Sequence, residues 1–348
     1  MAFRMPAEWE PHRATWVAWP HHLPDWPEKF EAIPWVYAEI VRALADHETV
    51  NILCHNRGVA GHARAVLDAH VVRRDRVTLH DVPTDRGWLR DSAPTGVLDA
   101  QGHVVLLDWA FNGWAKYSNW QQDAGVGPAI SKLTDLPREE PCLPDTGTRL
   151  VLEGGGIEVN GQGLLLVTEE WLLSDAQVRN PGLNRVDYEQ IFHKWLGINR
   201  TIWLGEGCLG DDTGGHVDDV ARFVSADTVV VAIEEDSNDG NHRRSMDNLR
   251  RLEAAARETT SGSLKIVRLP FPRAVFMDGD RLPASYTNFY IANGVVLVPT
   301  FNDPNDRTAL NTLAALMPKH QIVGIHSVDL VWGLGTLHCL TQQEPAQL

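Results

Sequence analysis

Four segments of this chain share one layout: a short polar patch, an apolar run, a turn and a second apolar run. They span Ala93–Leu107, Gly156–Val167, His216–Ala232 and Tyr286–Val298. Asn160-Gly161 and Asn293-Gly294 are strong two-residue hairpin signals, because both residues tolerate the positive φ that such turns demand. Asp99–Gly102 and Ser225–Asp227 are looser versions. The patches before these hairpins are Arg90-Asp91, Glu153-Gly154-Gly155, Gly215-His216-Val217-Asp218 and Ser285-Tyr286-Thr287-Asn288, and Cys339 makes a fifth. They start at 91, 153, 216, about 286 and 339, so the gaps are 62, 63, about 70 and about 53 residues. About five copies of a diverged unit of roughly 65 residues would fill the chain, as in radial or stacked repeats. If each copy delivers its patch to the same end of a ring, all five converge on one site.

Between the turns, nine apolar runs read as strands: Thr49–Leu53, Val104–Asp108, Arg149–Glu153, Leu164–Thr168, Thr201–Leu204, Thr228–Ile233, Leu264–Leu269, Val295–Thr300 and Gln321–Ile325. Helical spacing is expected over Trp35–Asp46, Val186–Leu196, Arg243–Thr259 and Asp306–Leu316. This alternation predicts an α/β fold. No Pro/Ser-rich linker interrupts it, so residues 1–348 read as one domain, with Arg138–Pro144 as a surface loop.

The formal net charge of -15 argues against a nucleic-acid partner, whose phosphates need basic surface, and is compatible with a cationic small molecule. No stretch approaches the roughly 18 apolar residues that span a bilayer, so no membrane partner is expected. The first residues, Met1-Ala2-Phe3-Arg4-Met5-Pro6, form no apolar signal core, which predicts a cytoplasmic protein. Cys54, Cys142, Cys208 and Cys339 lack paired spacing and read as reduced thiols. Several of the thirteen tryptophans flank polar motifs, as in Trp88-Leu89-Arg90-Asp91 and Trp109-Ala110-Phe111-Asn112-Gly113-Trp114.

Cys339 is the candidate nucleophile. It follows the glycine-containing turn Gly333-Leu334-Gly335, where the backbone can approach a ligand closely. A buried thiol is ordinarily a small apolar filler, and that reading holds for the other three cysteines. In an extended segment His338 would point away from Cys339, so the base must come from elsewhere. If a strand follows Gly215, His216 and Asp218 share a face, suited to proton transfer, to holding a cation, or to a metal together with Asp211 and Asp212. Glu153 sits at the end of an apolar run before three glycines. Asp91 follows Trp88 by three residues, and a tryptophan face near a carboxylate suits a cation, although Arg90 and Asp91 also read as a surface pair. A thiol, an imidazole and three carboxylates would oppose an acyl oxyanion. They suit a planar cation such as a guanidinium, which two carboxylates grip bidentately and whose charge favours a thiolate.

At this point the chain resembles the agmatine deiminase family, including the related bacterial peptidyl-arginine deiminases of the guanidine-modifying superfamily. The resemblance runs nearly end to end. It rests on Met5-Pro6-Ala7-Glu8-Trp9-Glu10-Pro11-His12, Trp88-Leu89-Arg90-Asp91, Leu152-Glu153-Gly154-Gly155, Arg179-Asn180-Pro181, Gly215-His216-Val217-Asp218, Ser285-Tyr286-Thr287-Asn288-Phe289 and His338-Cys339-Leu340-Thr341-Gln342-Gln343. It implies a five-bladed pseudo-symmetric α/β propeller, the pentein fold, and hydrolysis of a guanidino substrate with no metal or organic cofactor. It implies Cys339 as nucleophile, His216 as acid and base, and Glu153 orienting His216. Asp91 and Asp218 would bind the guanidinium, with Trp88, Arg90, Asn288 and Gly333 as further substrate contacts. The expected reaction turns agmatine into N-carbamoylputrescine and ammonia, a step of putrescine and polyamine metabolism. Arginine in peptides, another guanidino compound and amidino transfer stand as alternatives. Remoter ones are a metallohydrolase and a non-catalytic relative of pentein-shaped ribosome-binding factors; a homodimer stays open. The chain departs from the family pattern at Leu334 (usually glycine), Trp171 (often cysteine), Ser92-Ala93 (usually threonine-glycine) and Asp219 (often asparagine).

Overall fold

The computed structural model describes residues 3–143, 146–258 and 264–347. Met1, Ala2, Pro144 and Thr259, which figured in the expected N-terminus, surface loop and third helix, lie outside them. The chain is α/β, and one strand arrangement recurs among the described residues. Thr95–Leu98 pairs antiparallel with Val104–Leu107, which pairs parallel with Arg138–Glu139. The same order joins Glu158–Val159, Leu164–Thr168 and Arg200–Leu204. It recurs in Ala221–Ser225, Thr228–Ile233 and Lys265–Pro270, and in Tyr290–Ala292, Val295–Thr300 and Gln321–His326.

A further sheet is assembled from both ends of the chain. Gln342–Pro345 runs antiparallel to His12–Ala18, which is followed in parallel by Thr49–Cys54 and Val77–Asp81. A two-stranded ribbon, Phe276–Met277 with Asp280–Arg281, stands outside this scheme. The four expected hairpins are therefore all present. Helices Ile33–Ala45, Arg185–Leu196, Gly240–Arg257 and Pro304–Leu316 occupy the segments where helical spacing was read. Thr228–Ile233 is buried along its whole length, as expected of a strand with parallel pairing and both faces covered. The apolar core divides into clusters that follow the sheets.

Three local expectations are corrected. Arg149–Glu153 forms no strand, only isolated bridges from Arg149 to Cys142 and from Val151 to Ala110, because Gly154–Gly156 turn the chain at once into a 3-10 helix. Residues after Gly215 are not extended: positive φ at Gly214 and Gly215 swings the chain into the 3-10 turn Val217–Asp219. His338 and Cys339 also sit on a single helical turn, Leu337–Leu340, and not in the extended segment assumed for them; Asp91 sits on a similar turn, Leu89–Ser92. The strands His12–Ala18, Val77–Asp81 and Gln342–Pro345, and the helices Arg57–Ala69 and Val126–Thr134, were not anticipated.

One buried ionic network ties the sheets together. Glu8 Oε1 accepts hydrogen bonds from Arg222 Nη2 (2.8 Å) and the Ile291 amide (2.8 Å). Its Oε2 meets Arg90 Nη2 at 3.3 Å and His338 Nε2 at 2.8 Å. Arg222 in turn donates to Glu158 (2.7 Å) and to the carbonyls of Thr287 and Phe289. Arg90, Glu158, Arg222, Ile291 and His338 each lie in, or just before, the first strand of a different sheet. Burial alone would raise the Glu8 pKa, but Arg222, His338 and Arg90 hold it well below the usual carboxylate range. Removing one partner of such a buried network leaves uncompensated charge and costs about 3–5 kcal/mol. Glu8→Gln, which keeps the shape, should lower the free energy of unfolding by that amount, read from the urea midpoint at unchanged denaturant slope. A loss below about 1 kcal/mol, the level of an exposed pair, would show that the network does not hold the sheets.

Candidate active site

The polar patches meet where the leading strands begin. Cys339 is 9% exposed, and its Sγ accepts a hydrogen bond from Asn288 Nδ2 at 3.2 Å and lies 3.7 Å from Asp218 Oδ2. His216 is buried, with Nδ1 3.8 Å from Asp91 Oδ1 and Nε2 3.5 Å from Glu153 Oε2. These are ion-pair distances without a formed hydrogen bond. Glu153 is fixed from both sides: Arg179 Nε donates to Oε1 at 2.9 Å, and Trp171 Nε1 donates to Oε2 at 2.7 Å. Asp91 accepts from the Gly155 amide (2.9 Å) and from Trp114 Nε1 (2.8 Å). Asp218 Oδ2 is bound by His338 Nδ1 at 2.8 Å, while its buried Oδ1 has no partner.

Two glycines make this density possible. A Cβ at Gly155 would sit 2.6 Å from His216 Nδ1, 3.0 Å from Asp218 Oδ2 and 3.1 Å from Asp91 Oδ1, so the backbone must pass bare between the three groups. A Cβ at Gly335 would press on Trp88 at 2.7 Å and on Cys339 Sγ at 3.2 Å. Neither site admits even alanine without displacing the groups around the thiol.

The charges follow from burial and neighbours. Burial lowers the His216 pKa, but Asp91, Glu153 and Asp218 outweigh it and lift it to about 9. Burial raises that of Glu153, yet Arg179 and His216 bring it down to about 2. Asp218 is lowered against its burial by His338, His216 and Arg222. Asp91 is raised by burial, with Glu153 and Asp218 adding to the shift. Asp219 is pushed well up by burial and by Asp218, and accepts a hydrogen bond from Asn288 Nδ2 at 3.0 Å. Burial, then Asp218, Asp219 and Asp91, also drive the Cys339 thiol well above its ordinary value. The two shifts favour a protonated thiol and a protonated imidazole.

A cleft of about 350 Å³ opens onto Cys339 and Asp91, walled by Trp88, Trp114, Gly333 and Leu334. Asp25, Arg86, Tyr117, Asp212 and Asp280 also line it. Asp91, Glu153, His216, Asp218 and Cys339 are thus brought together, Trp88 and Gly333 line the cleft, and Asn288 holds the sulfur. Arg90 is a correction: it does not line the cleft, and its guanidinium points to Glu8, to Gln343 Oε1 (2.7 Å) and to the His338 carbonyl. As a cation facing the buried Glu8 it braces the network instead. Asp211 and Asp212 do not join His216 and Asp218 as a metal shell. Asp211 caps the amides of Thr213, Gly215 and His216, and Asp212 pairs with Lys116 and Tyr117. Among the described residues no group of three or more His, Cys, Asp or Glu side chains is placed to hold a metal. Trp114, Trp171 and Arg179 were not anticipated as partners of the site carboxylates, although the tryptophan-rich segment ending at Trp114 and the Arg179-Asn180-Pro181 motif carried the signal.

The profile of the Porphyromonas-type peptidyl-arginine deiminase family matches residues 4–345. An agmatine deiminase from Pseudomonas aeruginosa (strain UCBPP-PA14) is 34% identical over 367 aligned positions, covering 99% of this chain and 96% of the relative. Among solved structures, the agmatine deiminase of Enterococcus faecalis superposes with a TM-score of 0.89 at 30% identity, covering 100% of this chain and 97% of the other. A substrate-bound Cys-to-Ser variant of C. jejuni agmatine deiminase gives 0.88 at 25% identity, covering 99% and 97%. With a family match over nearly its whole length, the chain belongs to the Porphyromonas-type peptidyl-arginine deiminases.

Proposed function

We propose that this protein hydrolyses a guanidino group, with agmatine as substrate and N-carbamoylputrescine and ammonia as products. The observation that carries the reading is a buried thiol with Asp218 Oδ2 3.7 Å from Sγ, where burial first and then Asp218, Asp219 and Asp91 disfavour ionisation and an arriving cation would favour it. A guanidinium in the cleft would meet the remaining lone pairs of Asp91 beside the walls formed by Trp88 and Trp114, and on reaching the thiol it would meet the unpartnered Oδ1 of Asp218. Its charge lowers the cost of forming the thiolate, and the thiol proton leaves to solvent. Sγ then attacks the central carbon to give a neutral tetrahedral adduct. His216 gives its proton to the departing nitrogen, ammonia leaves, and a thiouronium cation remains on Cys339. The now neutral imidazole takes a proton from water, and the hydroxide adds to the same carbon. Collapse breaks the C–S bond, releases the ureido product and returns the hydroxyl proton to sulfur. Glu153, locked by Arg179 and Trp171, steadies the imidazolium in both half-reactions.

We also place the five similarly ordered sheets as blades of a pentein propeller around this site. Their shared strand order and the ionic network that touches each leading strand support that arrangement.

Ammonia release should be seen with agmatine in a panel that includes free arginine, a peptide with C-terminal arginine and guanidinobutyrate. Cys339→Ser should lower it at least about a thousandfold with the fold intact, and a chelator should change nothing. A near-normal rate in the variant would refute the nucleophile. Binding of an unreactive guanidinium such as methylguanidine should raise the ultraviolet thiolate absorbance of the wild type but not of Cys339→Ser; no change would sink ionisation by the bound cation.

The imidazolium has its own pH signature. The folded value of His216, about 9, lies above its ordinary 6.5, so its stabilising effect is complete below 6.5 and disappears as pH rises through about 9. The melting temperature of the ligand-free protein should therefore exceed that of His216→Gln most at low pH, with the gap closing across that window. A constant gap would mean that the charge is not held by the carboxylates.

A further inference from the structure

His338 is buried, adjoins the nucleophile and has no part in the steps above. Its ring lies within hydrogen-bond distance of two carboxylates: Nδ1 is 2.8 Å from Asp218 Oδ2 and Nε2 is 2.8 Å from Glu8 Oε2. Carboxylates accept and do not donate, and a neutral imidazole has only one N–H. Both contacts are made as hydrogen bonds only if the ring carries two protons. Glu8 is already held ionised by Arg222 and Arg90, so a proton shared onto it is disfavoured. The backbone reinforces the placement: the His338 amide donates to Asn288 Oδ1 (3.0 Å), and its carbonyl accepts from Arg90 Nε (3.2 Å).

We propose that His338 is a cationic positioning residue that clamps Asp218 by one oxygen and leaves the other as a fixed, open acceptor for the substrate. The guanidinium part of this statement rests on the deiminase reading; the clamp itself does not. The geometry has two consequences. With Oδ2 pinned by the ring and the ring pinned by Glu8, Asp218 cannot rotate, so Oδ1 keeps its direction before any ligand binds. The positive charge also offsets Asp218, which lies 3.7 Å from Cys339 Sγ and would otherwise oppose thiolate formation more strongly. His338 thus acts on both the substrate and the nucleophile through a single carboxylate.

The test begins with the ligand-free wild-type protein. In nitrogen-labelled histidine spectra at neutral pH, both ring nitrogens of His338, assigned through bonds, should carry protons. A ring with one bare nitrogen overturns the proposal, whatever the enzyme's substrate. The second measurement is alkylation of Cys339 by iodoacetamide as a function of pH. In His338→Gln the profile should move to higher pH, since a cation has been lost while Asp218, Glu8, Arg90 and Arg222 remain around the position. A merely structural role would leave the profile in place. Finally, His338→Gln should lower kcat/KM at least about tenfold, and adding it to Asp218→Asn should cost less than about twofold more. Full additivity would show that His338 works by another route. Loss of the kinetic effect with the clamp intact in the first two measurements would count against the deiminase chemistry rather than against the clamp.

Discussion

Everything in this structure is arranged around the problem of keeping charge inside a protein. Glu8, Glu158 and Asp218 face Arg90, Arg222 and His338, and Glu153 faces Arg179 and His216, all of them buried. Ions placed in low dielectric persist only when paired and hydrogen-bonded. The pairs of Arg222 with Glu158 and of His338 with Asp218 join segments of different sheets, and Glu8, which precedes the first strand, links Arg90, Arg222 and His338 from three of them. Asp91 and His216 are the looser pair, 3.8 Å apart, and Asp91 lines the cleft that opens onto Cys339. Beside the thiol, burial and the carboxylates of Asp218, Asp219 and Asp91 act together against ionisation, the setting on which the proposed binding of a cation rests.

Closure of the chain serves the same end. Cys339 is near the C-terminus, where chains ordinarily fray. Here the four residues Gln342–Pro345 pair with His12–Ala18, and Trp16 Nε1 donates to Glu344 Oε2 at 2.9 Å. The first strand of the chain thus fixes the segment that carries the nucleophile, and the segment before that strand supplies Glu8. Both ends contribute to the site, which gives a physical reason for the long separation in sequence between Glu8 and His338.

Much of this was legible in the residues because repeats leave spacing. The hairpins at Asn160-Gly161 and Asn293-Gly294 follow from local turn chemistry, and the patches before them fell at near-equal intervals. What escaped were elements defined by non-local partners. Gln342–Pro345 reads as polar sequence and becomes a strand only because the other end of the chain lies beside it. His216-Val217-Asp218 alternates like a strand, but two positive-φ glycines dictate a tight turn, and the alternation rule then fails. Arg90 was expected as a substrate contact through the resemblance of Trp88-Leu89-Arg90-Asp91 to the family motif. On a helical turn adjacent residues face different ways, and its long side chain reaches back into the ionic network. Arg179 and Trp171 lie 26 and 18 residues from the glutamate they bind, distances over which sequence alone assigns no pairing.

Leu334 shows how a departure from the family pattern can be physically coherent. Its φ of 68° lies in the left-handed region, where a side chain costs about 1–2 kcal/mol relative to glycine. Yet a leucine here packs against the cluster of Leu282, Tyr286 and Val331 and forms part of the cleft wall. Full burial of a leucine side chain contributes about 1.5–3 kcal/mol, and the partial burial of Leu334 supplies a fraction of that against the strain. Its neighbours have no such freedom, because a Cβ at Gly333 would meet Trp26 at 2.5 Å and one at Gly335 would meet Trp88. The turn therefore tolerates a side chain at its middle position alone, and that position lines the cleft. A bulky residue there narrows the cleft beside Trp88 without disturbing the backbone that presents Cys339, so substrate fit can vary at this wall while the chemistry beneath it stays fixed.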